Sequence, residues 1–300
     1  MKVLSRLNAF LKKRKIKFNY VDVGAREDIS NIWKKLEDNI NVFGFETDLD
    51  ELKRLKNKFP SRTYYEFGLW SKEEDLKLYI TSDASSSSIY KPNLNENKKY
   101  KIKYHECRNL KKVVNVKCKK MDQLLTTTPD FIKIDTQGSE YEIIKGARKL
   151  LTSNCPLISL ETWTRDVYKN SPTMDKTISL MREYGYEILD MELCASEKHK
   201  TNFRTISKQT ISGYEITFGK KNIEMIKDLN SKIKYVLLLD LFGYKDMAIN
   251  LNENFIKNSD LNLFLFLSSR TRNNLDVLFR KALKIIFKRI IGEPYFKISD

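Results

Sequence analysis

The first part of the chain alternates between short runs of β-forming residues and longer runs with helical spacing. Residues 17–24 (KFNYVDVG) and 41–46 (NVFGFE) are compact apolar runs typical of buried strands. Residues 29–36 lie between them and repeat their apolar side chains at the spacing of one helix face. A second helix is predicted to begin at Asp48 or Asp50, followed by a third strand, RTYYEFGLW.

The middle of the chain interrupts this alternation. The segment DLKLYIT alternates like a half-exposed strand, and residues 82–101 are polar, with four consecutive serines at 85–88. VVNVKCKKMDQLL then returns to a strand followed by a short turn or helix. These features predict a β-type insert at about residues 72–120.

The second half returns to strand and helix alternation. Strands are predicted at PDFIKID, PLISLETW, YEILDME and GYEITFG, and helices at SEYEIIKGARKLL and MDKTISLMREYG. Ser139 and Glu142 have the spacing of a capping box at the start of the first of these helices. The alternation predicts an α/β fold around a parallel sheet in residues 1–220. After about residue 220 the pattern becomes helical, so a helical C-terminal extension is expected at 221–300.

Three predicted strands end in acidic residues: Asp22 in the first, Glu46 in the second and Asp135 in the fourth. In doubly wound sheets, ligands bind at the carboxyl ends of the strands. An acid at the end of the second strand, about twenty residues beyond the first turn, is placed to accept hydrogen bonds from ribose hydroxyls. Enzymes that use a nicotinamide cofactor and enzymes that use S-adenosylmethionine share this arrangement.

The first turn distinguishes between these two cofactors. A dinucleotide requires several glycines whose amides face the pyrophosphate, whereas this turn contains Gly24 followed by Glu27 and Asp28. S-adenosylmethionine carries no phosphate, and its ammonium and sulfonium groups are compatible with nearby acids. The turn therefore favours S-adenosylmethionine. The alternative is an ordinary connection from strand to helix, with Asp28 as the helix N-cap.

Three segments of the chain closely resemble one family of enzymes. VDVGA, FGFETDLDELKRL and FIKIDTQGSEYEIIKGARKLL are similar to the FkbM family of S-adenosylmethionine-dependent methyltransferases, and the segment from Asp135 to Glu140 is the most specific part. The resemblance covers about residues 17–220. It implies a Rossmann-like class I methyltransferase sheet, mostly parallel, whose last strand is antiparallel. It also implies O-methylation, often of sugar or polyketide hydroxyls.

The resemblance also implies roles for individual residues. Those expected to contact the cofactor are Asp22, Gly24, Ala25, Glu46, Thr47, Gly68, Leu69, Asp135 and Gln137, with Glu46 at the ribose. Many family members carry a further glycine where this chain has Asp28. A carboxylate there would crowd the carboxylate of the cofactor, so we expect Asp28 to turn away and cap the following helix.

Methyl transfer to a hydroxyl requires alignment of the two reactants and removal of a proton. Asp135 and Glu161 end neighbouring predicted strands, so their carboxylates should face one cleft, and Asp135 is the first candidate for the base or a substrate anchor. Gln137 is a candidate for orienting substrate or cofactor, and His105, in the insert, is a further candidate base. Structural roles stay open as alternatives for both acids. The acidic residues are not clustered closely enough in the sequence to predict a metal site.

The net charge of +16 widens the range of expected partners. Such a surplus predicts attraction to nucleic acid, acidic glycan or anionic lipid, unless it only reflects a biased genome. The leading hypothesis is a cytoplasmic O-methyltransferase that modifies a sugar hydroxyl of a surface glycan or its precursor. One rival is a nucleic-acid methyltransferase, although the Asp135 segment lacks the Asn/Asp-Pro-Pro-aromatic pattern of many amino-methylating enzymes. The other is a membrane-associated scaffold with a degenerate Rossmann domain.

Cysteines and apolar runs exclude several classes of protein. The cysteines are scattered and form no Cys-x-x-Cys pair, which argues against a zinc site or a disulfide framework. They are Cys107, Cys118, Cys155 and Cys194. No run approaches the roughly 18 uncharged apolar residues of a spanning helix, and the basic start of the chain lacks a small-residue cleavage site. We therefore expect reduced thiols in a cytoplasmic protein.

A basic amphipathic helix is predicted near residues 277–291, within DVLFRKALKIIFKRIIGEP. Its basic positions lie opposite its apolar positions, although Ile285 and Arg289 blur the boundary. Helices of this kind bind anionic membrane surfaces, which would place the protein at the inner face of the membrane. The alternatives are a helix packed on the domain and a contact in a homodimer.

A chain shortened to end near residue 272 should retain S-adenosylmethionine binding and lose its attachment to anionic vesicles. Every acid assigned to the cofactor site precedes residue 220, whereas each Lys or Arg near an anionic membrane contributes about 1 kcal/mol. Sedimentation with vesicles of increasing anionic-lipid content, at low and high salt, measures the attachment. Equal sedimentation of the two chains would contradict the membrane role, and lost cofactor binding would favour the packed helix.

Overall fold

A computed structural model describes residues 2–101, 105–202 and 206–269 of the chain. Its central sheet has seven strands in the order β3-β2-β1-β7-β8-β10-β9. The strands in chain order are β1 Phe18–Val23, β2 Ile40–Phe45, β3 Thr63–Tyr65, β4 Gly68–Leu69, β5 Glu74–Thr81, β6 Leu110–Lys119, β7 Phe131–Ile134, β8 Leu157–Trp163, β9 Tyr186–Glu197 and β10 Thr210–Lys220. Strand β10 runs antiparallel to both its neighbours, and the other neighbouring pairs in this sheet are parallel. The predicted α/β class is confirmed.

The helices connect and cover these strands. In chain order they are α1 Lys2–Arg14, α2 Asn31–Lys34, α3 Leu49–Lys58, α4 Leu94–Asn97, α5 Met121–Leu124, α6 Glu140–Gly146, α7 Arg148–Thr152, α8 Met174–Glu183, α9 Leu229–Phe242, α10 Lys245–Leu251 and α11 Ser259–Ser269. Helix α3 is capped by Asp48, whose side chain accepts hydrogen bonds from the amides of Asp50 and Glu51 at 3.2 and 3.4 Å. Of the two predicted starts, Asp48 is therefore the one used.

Two hydrophobic layers cover the two faces of the sheet. One face packs against α6, α7 and α8, with Ile132 and Ile158 of the sheet buried against Ile144. The other packs against α1, α2 and the C-terminal helices. On that face the ring of Trp33 lies 4.9 Å from Tyr20 and 5.2 Å from the ring of Phe131, measured between centroids. Because the short helix α2 covers only part of this face, the C-terminal helices complete the layer.

The central segment of helix α9 is apolar on every side because it lies between the sheet and other helices. Its residues 235–239 are fully buried. Residues on both sides of position 220 therefore share one core. The basic helix predicted at 277–291 lies outside the described residues. Among those that are described, no helix is long and apolar enough to cross a membrane.

Strands β5 and β6 of the insert form, together with β4, a separate three-stranded sheet in the order β4-β6-β5. RTYYEFGLW was expected to be one strand, and this prediction is wrong. The segment divides into β3 of the central sheet and β4 of the small sheet. At Gly68 the chain passes so close to β6 that an added Cβ would lie 2.7 Å from the sulfur of Cys118. Pairing with β6 therefore draws the second half of the segment away from β2.

The prediction that Asp28 caps a helix is also wrong. The residue before α2 is Ser30, and the Asp28 carboxylate lies 2.8 Å from Arg62 Nη1 and 3.0 Å from Lys34 Nζ. Partial burial opposes ionisation of Asp28, but the hydrogen bonds from Lys34 and Arg62 lower its pKa below the usual value. These ion pairs hold the carboxylate in place.

Candidate active site

A cleft of about 920 Å³, counting its open mouth, lies at the carboxyl ends of β1, β2 and β7. This is the edge at which ligands bind in doubly wound sheets. Seven of the predicted cofactor contacts line the cleft: Gly24, Glu46, Thr47, Gly68, Leu69, Asp135 and Gln137. The other two, Asp22 and Ala25, are buried. The serine loop at 85–88 contributes to the opposite wall.

The turn after β1 can only be built around glycine. Gly24 has a φ of +81°, and a Cβ there would lie 2.1 Å from the carbonyl oxygen of Asp135. Its amide and that of Ala25 each donate to the Phe45 carbonyl at 3.0 Å, and the Asp135 amide donates to Val23 at 3.0 Å. The turn is therefore fastened to both neighbouring strands, which brings Asp135 against it.

Two carboxylates near this turn are suited to S-adenosylmethionine. Glu46 is 7% exposed and its Oε1 accepts from the Asp48 amide at 2.7 Å, so the group is held in place beside the cleft. Burial raises the pKa of both Glu46 and Asp22. Asp22 Oδ1 has no hydrogen-bond partner in the part of the chain that the structure describes. A buried acceptor without a donor fits a ligand that brings donors and positive charge.

The walls of the cleft fit the remainder of that cofactor. Phe45, Leu69 and Ile143 are apolar lining residues, suited to a flat base, while Glu46 at the end of β2 is suited to the ribose diol. At the cleft wall, Arg26 pairs with Asp48 at 3.2 Å. Asp28 does not line the cleft, because its carboxylate is held by Arg62 and Lys34.

Asp135 and Glu161 are joined by one side-chain amide. Gln137 Nε2 donates to Asp135 Oδ1 at 3.1 Å and to Glu161 Oε2 at 2.7 Å. Lys133 Nζ lies 3.4 Å from Asp135 Oδ2, and the thiol of Cys194 donates to Glu161 Oε1 at 3.3 Å. The acids form a half-buried pair at the end of β7 and β8, as their positions at neighbouring strand ends predicted.

This pair retains one proton at neutral pH. Burial and the neighbouring charge of Asp135 raise the pKa of Glu161 to about 8. Burial also opposes ionisation of Asp135, but the positive charge of Lys133 and the hydrogen bonds around it lower the pKa of Asp135. Two adjacent carboxylates do not both ionise easily. Asp135 is therefore the ionised member and Glu161 the protonated one.

The turn that carries Gln137 is shaped by Glu140. Gln137 and Gly138 both have left-handed backbones, with φ of +58° and +110°. Glu140 Oε1 accepts from the amides of Thr136 and Gly138 at 3.0 and 3.1 Å. Its burial raises the pKa of Glu140 to about 7.

The predicted capping box of Ser139 and Glu142 is wrong. Ser139 has a helical backbone and makes no side-chain cap. The buried carboxylate of Glu140 takes the amides of the turn instead. The segment from Asp135 to Glu140 thus positions the side chain of Gln137.

Tyr168 completes the site and was missed from the sequence. Its buried hydroxyl lies 2.9 Å from Gln137 Oε1 and 2.9 Å from the carbonyl of Ser86, both acceptors. It thereby links the serine loop to the amide that joins the acids. Its position in a loop after β8 gives no periodic signal, and only the fold brings it to Gln137.

Other predicted residues lie away from the cleft. His105 is half-buried in the insert and is not a lining residue, so its role as a base stays a prediction. Glu161 also does not line the cleft, and reaches it only through Gln137. Among residues 2–101, 105–202 and 206–269, no group of three or more His, Cys, Asp or Glu side chains could hold a metal ion.

The strand order, the glycine turn after β1 and the acid after β2 define a class I methyltransferase that uses S-adenosylmethionine. The sequence model of the methyltransferase FkbM domain matches residues 22–188, more than half of the chain. The chain belongs to this family. The predictions of the family and of S-adenosylmethionine as its cofactor are confirmed.

Similarity to solved structures is distant. The FkbM methyltransferase from Methylobacillus flagellatus is 15% identical with a TM-score of 0.36, and the match covers 70% of this chain and 47% of that one. This chain thus spans about half the length of that protein. The magnesium protoporphyrin IX methyltransferase from Synechocystis, with bound S-adenosylmethionine, is 9% identical with a TM-score of 0.36, covering 73% and 78% of the two chains. No curated protein matches the chain. Likeness at this level does not bear on the acceptor.

Replacing Glu46 with Ala should weaken S-adenosylmethionine binding by roughly 1.5–3 kcal/mol, the range for hydrogen bonds to a charged group. The change removes the carboxylate at the end of β2 that is suited to accept from the ribose. Calorimetric titration measures the affinity, with Glu66→Ala as a control at an exposed position outside the cleft. Unchanged affinity in a folded Glu46→Ala variant would remove this residue from the site.

The Glu161→Gln variant should gain stability relative to the wild type as pH rises. Folded Glu161 keeps its proton up to about pH 8, while in the unfolded chain it titrates near 4.5. Wild-type stability therefore falls between these values, and Gln abolishes that loss. The gain from pH 5 to pH 9 should be at least about 1.4 kcal/mol, equivalent to one pKa unit. Urea unfolding at pH 5, 7 and 9 measures it. A difference that does not change with pH would mean that Glu161 titrates normally.

Proposed function

We propose that the chain transfers the methyl group of S-adenosylmethionine to a sugar hydroxyl in a surface glycan or a glycan precursor. The observation that carries this proposal is the position of Asp135. It borders the cofactor cleft and, through Gln137, is joined to the protonated Glu161. Asp135 therefore lies between the cleft suited to the methyl donor and Glu161, beside which an acceptor would bind.

Methyl transfer to a hydroxyl requires a base and no covalent intermediate with the protein. S-adenosylmethionine, when bound, would supply an electrophilic methyl group, with its sulfur as the leaving group when the acceptor oxygen takes that methyl. The hydroxyl proton must leave, and the ionised Asp135 carboxylate accepts it. Lys133 keeps this carboxylate ionised before the reaction. Gln137 fixes the orientation of the carboxylate through the hydrogen bond to Oδ1.

The half of the sheet face that lies nearer the active site is polar, which favours an acceptor with several hydroxyl groups. In the sheet register, Asp22, Lys133, Ser159 and Thr217 lie opposite one another on four neighbouring strands. In the next row, Glu161 lies opposite Glu215, which is exposed and accepts from Ser159 Oγ at 2.8 Å. Asp22 and Ser159 are buried, so the exposed Glu215 and the half-buried Lys133 and Thr217 are the groups that offer donors and acceptors to sugar hydroxyls.

The alternative of a non-catalytic scaffold rested on crowding by Asp28. That carboxylate is held by Arg62 and Lys34, away from the cleft, which favours a functional cofactor site. A cytoplasmic location near the membrane, where lipid-linked glycan precursors are assembled, fits the proposed acceptor and the basic tail in the sequence.

Replacing Asp135 with Asn should leave cofactor affinity nearly intact and lower turnover by about 10²-fold or more, the usual scale for loss of a general base. Asn keeps the shape and a hydrogen-bond acceptor but does not take the proton. Turnover is measured with labelled S-adenosylmethionine on the acceptor found by screening nucleotide sugars and glycans. Asp166→Asn, an exposed change, is the control. Turnover within a few-fold of the wild type would place the base elsewhere, with Glu161 and His105 next.

A further inference from the structure

Two segments that are far apart in the sequence form a short antiparallel ribbon near the active site. Tyr100 pairs with His199, with 4.6 Å between ring centroids. The amide of Lys101 donates to the carbonyl of Lys198 at 3.3 Å, and that of Lys200 donates to Lys99 at 2.8 Å. In this geometry Lys101 lies directly opposite Lys198, and Lys99 directly opposite Lys200. Because successive side chains alternate, all four lysines lie on the side away from the two rings.

The same arrangement occurs once more, beside Tyr168. Pro92 pairs with Tyr168 in an antiparallel bridge, and the amide of Lys169 donates to the carbonyl of Lys91 at 2.8 Å. Lys91 and Lys169 therefore lie opposite each other, and both are exposed. Together with the ribbon this gives three cross-strand pairs, which we name the lysine patch. Its members are Lys91, Lys99, Lys101, Lys169, Lys198 and Lys200.

Opposed lysines are unfavourable unless an anion lies between them. Like charges directly opposite on paired strands destabilise the pairing. Lys99 is compensated by Glu96, whose Oε2 lies 2.5 Å from its Nζ. Within the part of the chain that the structure describes, the other five lysines have no ion pair. Three such pairs in one region indicate a surface that is adapted to bind an anionic ligand.

The lysine patch is connected to the acid pair by short steps. Tyr168, whose neighbour Lys169 belongs to the patch, contacts Gln137 directly. Strand β9 contains Cys194, which contacts Glu161, and ends at Glu197, directly before Lys198 of the patch. Four steps of extended backbone from Cys194 to Lys198 span at most about 13 Å. A chain-like acceptor with one hydroxyl at Asp135 would therefore reach the patch within a few sugar units.

We propose that the lysine patch binds the anionic groups of the acceptor, which is a glycan carrying carboxylate or phosphate groups along its chain. This inference rests on the proposed glycan methylation and names the class of glycan. The patch binds charge at a distance from the reacting hydroxyl, so it selects the acceptor without taking part in proton removal.

The surroundings of the patch favour a glycan over a nucleic acid. Single-stranded nucleic acids bind where basic grooves also present aromatic rings for base stacking. Of the two rings of the ribbon, Tyr100 is 3% exposed and lies beneath the guanidinium of Arg165, 3.8 Å from its ring, and the exposed His199 lies on the side away from the lysines. Neither ring lies beside the lysines, where a base would have to stack. Charge alone, carried on flexible lysine side chains, is suited to carboxylates or phosphates on a sugar chain.

The test uses a labelled oligogalacturonate of about eight units, with a neutral malto-oligosaccharide of equal length for comparison. Fluorescence anisotropy measures the affinity of the full chain and of three double variants. Two alter the patch: Lys101→Gln with Lys198→Gln, and Lys91→Gln with Lys169→Gln. The third, Lys53→Gln with Lys56→Gln, makes the same change in net charge on exposed positions of α3.

Each patch variant should bind oligogalacturonate about tenfold more weakly, and the α3 control within about twofold of the wild type, with binding that weakens as salt rises. The neutral oligosaccharide should bind far more weakly than the charged one. Equal losses in all three variants would overturn the proposal, since the binding would then depend on net charge alone. Tighter binding of an oligothymidylate of equal charge, or binding to anionic vesicles only, would also overturn it.

Stability and cofactor binding separate this proposal from that of methyl transfer. Because opposed charges are removed, the patch variants should melt no lower than the wild type, and all should bind S-adenosylmethionine with unchanged affinity by calorimetry. Oligogalacturonate binding through the patch in a chain that does not bind S-adenosylmethionine would refute the proposed function and leave the anion site standing. The reverse result would refute the patch alone.

Discussion

The side-chain amide of Gln137 is the interaction on which the candidate site depends. It spans two carboxylates that would otherwise repel each other, and its oxygen accepts from Tyr168. The amide is in reach of all three groups only because its backbone is left-handed, a conformation that a non-glycine residue adopts at a cost. Glu140 offsets that cost by accepting from two amides of the same turn.

The charges around Asp135 and Glu161 give the two acids different protonation states. Lys133 lies in β7, two residues before Asp135, which directly follows the strand, so both side chains lie on one face of the sheet. Its positive charge lowers the pKa of Asp135, while Glu161 lacks such a partner and keeps its proton. A pair of acids that are chemically similar in the sequence thereby divides into an ionised member and a protonated member.

The sheet face around these acids is exposed because helices cover only its other half. In a doubly wound fold the helix after the first strand packs along this face, but α2 has only four residues. Helices from the C-terminal part cover the apolar half, where Trp33, Phe131 and Tyr235 are buried. The half nearer the active site keeps polar side chains such as Glu215 exposed. The paired lysines, which contribute to the net charge of +16, lie outside this acidic surface.

The sequence by itself determined the alternation of strands and helices, the order of the acids and the glycine turn. These features are periodic or local, since the spacing of apolar side chains reports which face of an element is buried. It also placed Gly24, Glu46, Asp135 and Gln137 in one cleft, because parallel strands all end at the same edge of a sheet.

Only the tertiary structure decided which distant side chains meet. The Arg62 partner of Asp28 and the contact of Tyr168 with Gln137 join residues separated by 34 and 31 positions, and the opposed lysines are separated by 78 to 101 positions. It also decided that RTYYEFGLW divides between two sheets, because pairing with β6 competes with pairing to β2. No local pattern encodes such contacts, since a side chain's partner depends on the path of the whole chain between them.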